Sequence, residues 1–316
     1  MKSLWKKHKI LIIVVLIIVG IIGYLWYEIG RPALMYHQGM TYFNEKKYDK
    51  AIDTLSKFIK IDYVGAFYPE SFFWRGWAYG EIGEYEKAIE DFNICEHAVT
   101  NDFFINEKKI NIKIEDIFIN RGTYYARWGK HEKAIEEWTK LLKMSNYVTN
   151  EKIYFNRGNS YYAIKDYDKA ISDYSKAIKL NPSFKEVYFN RGLVYREKGD
   201  YKKAENDFNF GLTICSNNTD KVSVLINRGG MYGIIGEYQK ALKDFSEVIE
   251  IDPKEAVAYI GRAQVYLNIG EYGKAKQDIV QALELTNSFF LYFGKKRIYI
   301  ETKNKDYSNE LKMLSI

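Results

Sequence analysis

Six arginines carry the most regular chemistry in the chain: Arg75, Arg121, Arg157, Arg191, Arg228 and Arg262. Each is followed, sixteen residues later, by an acid: Asp91, Glu137, Asp173, Asp207, Asp244 and Asp278. A row of guanidinium groups can hold phosphates or acidic ligands, because the planar fork meets two oxygens at once. A guanidinium with a fixed carboxylate partner is instead an internal charge pair. The acids track the arginines one for one, and that favours the internal pair. The other reactive side chains form no constellation. The histidines His8, His37, His97 and His131 lack zinc-ligand spacing, and no His-Glu-x-x-His occurs. There is no P-loop and no Gly-x-Ser-x-Gly elbow. Gly76, Gly80 and Gly83 of GWAYGEIG look like a phosphate loop but fall in packing and turn slots. Glu136 and Glu137 read as part of a solvated helix face. No catalytic residue, metal site or cofactor is expected.

The elements that position the arginines form a repeat. A small residue recurs at Gly39, Gly76, Gly122, Gly158, Gly192, Gly229 and Ala263. Three residues after it stands a tyrosine, from Tyr42 to Tyr266, and eleven after it a lysine, from Lys50 to Lys274. Twelve after it is alanine, from Ala51 to Ala275. Nine after it is tyrosine in every copy but one, where His131 stands. Large apolar residues sit four before it (Met35, Phe72, Phe118, Tyr154, Tyr188, Leu225, Tyr259) and sixteen after it (Leu55, Phe92, Trp138, Tyr174, Phe208, Phe245, Ile279). Each copy therefore holds two amphipathic segments joined by a turn such as Gly-Glu-Tyr or Gly-Asp-Tyr. One such pair cannot bury its apolar face alone, so stacked neighbours must complete the core.

A period near 34 residues with this content resembles the tetratricopeptide repeat (TPR) family, over roughly residues 33–285. The resemblance implies an all-α fold: a right-handed α-solenoid of about seven helix pairs over residues 32–285. One slot departs from the family pattern, since arginine replaces the usual leucine just before the glycine in six repeats. The first repeat has Gln38 there, and Thr54 at the acid slot. Pairing between the two helices of one repeat fits this better than pairing across repeats. Residues 286–316 read as a degenerate capping pair, with short helices over 288–302 and 307–314.

Residues 10–27 are uncharged, which nearly spans a ~30 Å hydrocarbon core at 1.5 Å per residue. The stretch is expected to be an uncleaved transmembrane helix rather than a signal peptide, as no small-x-small site follows it. Lys2, Lys6, Lys7 and Lys9 precede it in the basic tail 1–9, and only Arg31 follows closely. The N-terminus should stay cytoplasmic and the repeats extracytoplasmic. Of the formal charge of +6, four units lie in that tail and +2 remain for the rest. So balanced an array argues against nucleic acid, which wants a basic face. Cys95 and Cys215 lie three repeats apart, too far for a disulfide, and read as buried or spare thiols. The second and third repeats are 46 residues apart, from Gly76 to Gly122, and the excess lies in residues 96–114. It is an elongated helix or an inserted loop, functional or merely tolerated.

By resemblance, the first helices line a groove through the slots three before the small residue and one, four and five after it. In the last two full repeats these are Ile226, Gly230, Gly233 and Ile234, then Ile260, Gln264, Leu267 and Asn268. The expected partner-binding residues are Tyr36, Phe43, Phe73, Trp77, Phe155, Tyr162, Phe189 and Arg196. So apolar and aromatic a groove suits a protein or peptide ligand. The expectation is a membrane-anchored, non-enzymatic scaffold in envelope assembly, secretion or protein quality control. A non-catalytic subunit of a membrane enzyme complex and a self-associating structural array are the alternatives.

Overall fold

The computed structural model describes residues 15–24, 30–61, 69–100, 112–286, 288–293 and 296–301. These fall into two compact units, residues 1–148 and 149–316. The first contains three antiparallel helix pairs: α1 (Arg31–Asn44) with α2 (Tyr48–Ile61), α3 (Pro69–Glu81) with α4 (Tyr85–Thr100), and α5 (Ile114–Arg127) with α6 (His131–Leu142), then a 3-10 turn at Ser145–Tyr147. The second contains four: α7 (Glu151–Ala163) with α8 (Tyr167–Leu180), α9 (Lys185–Glu197) with α10 (Tyr201–Ile214), α11 (Asn218–Ile234) with α12 (Tyr238–Ile251), and α13 (Ala256–Asn268) with α14 (Tyr272–Leu285). Within each unit, every pair also packs on its neighbours.

The turn inside each pair needs one left-handed residue, seven positions after the small slot. Glycine supplies it at Gly83, Gly129, Gly199, Gly236 and Gly270, while Lys46 and Lys165 adopt φ of 59° and 62°. The side chains of Asp166 and Asp200 then accept hydrogen bonds from the backbone N–H of Lys169 and Lys203, capping α8 and α10. The small slot itself is set by close approach. A Cβ at Gly158 would lie 2.7 Å from the Tyr174 ring, and one at Gly192 2.8 Å from Phe208. Where the partner shrinks to Ile279, Ala263 is accommodated, and both are fully buried. The slot residues Ala51, Ala88, Ala134, Ala170, Ala204, Ala241 and Ala275 have no exposed surface at all.

One expectation, that of the C-terminal capping helices, needs correction. Ser288–Phe293 (β1) and Lys296–Glu301 (β2) form an antiparallel hairpin, with Ser288 opposite Glu301 and Phe293 opposite Lys296. The stretches SFFLYF and KRIYIE are rich in aromatic and β-branched residues, which favour strands. β1 runs beside α13. The expected helix at 307–314 lies outside the described residues. The transmembrane helix expected over residues 10–27 lies partly outside the described residues. Of residues 10–27, only 15–24 are described; they are helical, with exposed side chains. Among the described residues no helix is long and apolar enough to cross a membrane. Of the excess at 96–114, residues 96–100 extend α4 and Ile112 is buried, while 101–111 lie outside the described residues.

Candidate functional site

The six arginines are paired inside their own repeats. Arg75, Arg157, Arg191, Arg228 and Arg262 each place Nε and Nη2 on the two carboxylate oxygens of Asp91, Asp173, Asp207, Asp244 and Asp278, at 2.6–2.8 Å. Arg121 donates from Nη2 to Glu137 at 2.9 Å and from Nη1 to Glu96 and Asn93 at 2.5 and 2.7 Å. Glu137 is thus buried in a charge pair and does not belong to a solvated face. Burial pulls the arginines toward neutrality, but the carboxylate's hydrogen bonds and charge together outweigh it, and the Arg75 and Arg228 guanidinium groups are held above their ordinary value. Burial pushes their partners Asp91 and Asp244 up, against the pull of the guanidinium. Each carboxylate is spent on the arginine of its own repeat, so the pairs are architecture.

The sequence did not anticipate the third nitrogen. Nη1 of Arg75, Arg191 and Arg262 donates to Ser56, Ser175 and Ser246 of the preceding repeat, at 3.1, 2.9 and 3.0 Å. Arg228 donates likewise to Asn209 at 2.5 Å. These acceptors share one slot, seventeen residues after the small residue, where a Ser or Asn recurs. A second regularity explains the invariant lysine. In all seven repeats it lies over the repeat tyrosine, from 5.1 Å for Lys240 on Tyr232 to 5.8 Å for Lys50 on Tyr42.

The expected groove residues divide into two kinds. In the first unit the aromatics close on one another. Phe73 is only 3% exposed and packs against Phe92, Trp74 and Trp77, so it lines no open surface. Trp77 stacks on Trp74 with centroids 5.4 Å apart, and Phe43 meets both edge-on at 5.3 and 5.1 Å. Tyr36 lies against Phe58. These rings join repeat to repeat and leave only their rims half-exposed. In the second unit Phe155 packs on Phe184 and Tyr174, and Phe189 on Phe208. Tyr162 is half-buried beside Tyr167. Arg196 is held by Asn227 and Glu197, both at 2.9 Å.

The open part of the second unit's groove face lies between α11 and α13. A cleft of about 740 Å³ is lined by Gly230, Gly233, Ile234, Tyr238, Phe245, Gly261, Gln264, Val265, Leu267, Asn268 and Tyr272. Six of these occupy the groove slots of the last two repeats. Ile234 at the rim is 69% exposed. An asparagine slot two before the small residue was also missed. Asn120, Asn156, Asn190 and Asn227 stand there in four consecutive repeats, a recurrence visible in the sequence. Asn190 donates to Asn159 at 2.8 Å, and Asn227 receives Arg196, so the slot ties neighbouring first helices together. Burial pushes the fully buried Cys95 thiol up to about 12, which leaves it without thiolate at neutral pH. Among the described residues no cluster of His, Cys, Asp or Glu could hold a metal ion.

Comparisons with known proteins agree with this architecture. Family models described as tetratricopeptide or TPR repeats match residues 33–62, 69–95, 158–199, 185–218, 222–255 and 245–277. A sequence search among curated proteins finds no match. Among solved structures, a tetratricopeptide repeat protein from Parabacteroides merdae ATCC 43184 is 16% identical, with a TM-score of 0.61 over 90% of this chain and 99% of that one. MamA from Desulfovibrio magneticus RS-1 is 16% identical, with a TM-score of 0.49 over 58% of this chain and 94% of that one. YrrB, described as a TPR protein with an unusual peptide-binding site, is 20% identical, with a TM-score of 0.46 over 54% and 85%. With its repeat slots matched by six family-model segments and its helix pairs by a full-length structural neighbour, the chain is a tetratricopeptide repeat protein.

Proposed function

We propose that the protein is a membrane-anchored scaffold that binds a protein or peptide ligand along the groove face of its first helices. The observation that carries this reading is the cleft between α11 and α13. It opens on the slots that the repeat pattern assigns to the groove, and its rim presents an exposed Ile234. Exposed apolar side chains beside a concavity are the usual anchor points for a polypeptide partner. The paired Arg228 and Arg262 give that face a rigid backing, which lowers the entropy lost on binding. The uncharged run at residues 10–27 and the lysines ahead of it support an anchor with a cytoplasmic N-terminus and extracytoplasmic repeats. Envelope assembly, secretion and protein quality control are the settings in which such a scaffold would work, with no bond made or broken by the protein itself.

The test is co-purification of the tagged full-length protein from its own membranes, beside the double variant Ile234→Asp with Tyr162→Ala. A partner recovered with the wild type and lost from a variant of unchanged helicity is the expected result. Equal recovery from both would sink the groove assignment.

A further inference from the structure

The cleft between α11 and α13 exists because two side chains are missing together, at Gly230 and Gly233. One residue after the small slot, the second unit has Asn159, Leu193, Gly230 and Gln264 in successive repeats. Four after it, the series is Tyr162, Arg196, Gly233 and Leu267. Two before it, the series is Asn156, Asn190, Asn227 and Gly261. The glycines of all three series meet at one junction. Gly261 is covered from within, since a Cβ there would lie 2.5 Å from the Phe245 ring. Gly230 and Gly233 are not. A Cβ at Gly230 would meet nothing within 4 Å, and at Gly233 only Val265, at 3.7 Å. The chain leaves that volume empty and makes Phe245 its floor.

The lining restricts what can enter. It contains no Asp, Glu, Lys, Arg or His: aliphatic and aromatic side chains, three glycines and the amides of Gln264 and Asn268 complete it. A charged group entering would lose water and find no counter-ion. An apolar ring would find Phe245, Tyr238 and Tyr272, all able to meet it edge-on or offset. The exposed Asn268 amide at the mouth accepts from Gln264 at 3.2 Å, and its own N–H groups can donate to a backbone carbonyl. The mouth lies on the groove slots of two neighbouring helices, which suits a side chain presented by a polypeptide.

We propose that this cleft receives a bulky aromatic side chain from an uncharged stretch of the partner polypeptide, and so sets the scaffold's sequence preference. The proposal rests on the scaffold reading above and deepens it.

The experiment uses full-length protein in detergent and an array of randomised 12-residue peptides blocked at both ends, with free indole as a second probe. Bound sequences should share an uncharged window centred on Trp, Phe or Tyr. Gly233→Leu fills the void and should weaken that binding tenfold or more. Its backbone is an ordinary helix, so the variant folds, and its melting temperature should hold or rise. Gly273→Ala, on an exposed helix outside the cleft, should bind as the wild type does. Bound windows rich in charge, or Gly233→Leu binding at full strength, would overturn the proposal. Binding lost in Tyr162→Ala but intact in Gly233→Leu would overturn it while leaving the scaffold reading standing. No bound peptide at all would remove both. Indole binding as tightly as the best peptide would reassign the cleft to a small molecule.

Discussion

Removing one carboxylate from the arginine row should cost more than removing the whole pair. In the second unit Arg191 sends Nε and Nη2 to Asp207, both at 2.8 Å, and Nη1 to Ser175 at 2.9 Å. The side chains are only 17% and 8% exposed. Asp207→Ala deletes two charge-assisted bonds and leaves an enclosed cation with one hydroxyl. Breaking a buried pair in this way costs roughly 3–5 kcal/mol. The residual exposure of Arg191 admits some water, which puts the cost at the lower end, about 3 kcal/mol. Arg191→Leu with Asp207→Ala removes the cation as well and restores the leucine usual in the family. It should recover at least about 2 kcal/mol of that loss, because apolar replacements of buried pairs are often neutral. Urea unfolding of the full-length protein, followed by far-ultraviolet circular dichroism, measures both variants. Equal slopes would show that the same unit unfolds. A double variant as unstable as Asp207→Ala would refute the reasoning, since the stranded cation would then not be the source of the cost.

Three further outcomes follow from the geometry. Lys165 holds φ of 62° at a turn where glycine stands in five sister repeats, so Lys165→Gly should be neutral or raise stability by up to about 1 kcal/mol, whereas Gly199→Ala should lower it by about 1 kcal/mol; thermal melting distinguishes the two. Glu205 accepts from the Tyr232 hydroxyl at 2.6 Å, which holds its pKa below the ordinary value of 4.5. A depressed folded pKa contributes stability above the unfolded value and loses it as pH falls through the folded one. The stability gap between wild type and Tyr232→Phe should therefore be open at neutral pH and narrow below pH 4.5, as paired urea titrations would show. A thiol-reactive dye should label Cys215, which is half-exposed, and reach Cys95 only after unfolding; rapid labelling of both would contradict the burial of Cys95.

The repeat was legible because its defining contacts are short in sequence. Arginine and acid sit sixteen residues apart, and lysine finds the tyrosine eight positions before it, so a fixed spacing predicts a fixed contact. The hairpin at Ser288–Phe293 and Lys296–Glu301 was not, because a short apolar run has no period that separates strand from helix. The groove was legible as a set of slots but not as a surface. Large aromatics such as Phe73 and Trp77 drew attention, yet large rings are what neighbouring repeats use to fill the space between them. The opening is made by Gly230 and Gly233, residues that signal by having no side chain. Whether a glycine marks a void depends on what stands opposite: Gly80 looks equally empty in sequence, but Tyr124 fills its place, 2.3 Å from where a Cβ would be.

Within each unit, the third nitrogen of an arginine gives the stacked repeats a direction. Its acceptor slot reads Ser56, Asn93, Thr139, Ser175, Asn209 and Ser246, then Val280. Its donor slot reads Gln38, then six arginines. The first repeat carries Gln38 in place of the arginine, and the seventh carries the apolar Val280 in place of the acceptor. Within a unit the link works like a plug and socket repeated from one module to the next. A chain shortened by one interior module, so that Arg228 followed Ser175, would still join every plug to a socket. A chain begun at an interior module would start with an unconnected plug. Growth and loss of repeats by whole internal units is the change this wiring tolerates.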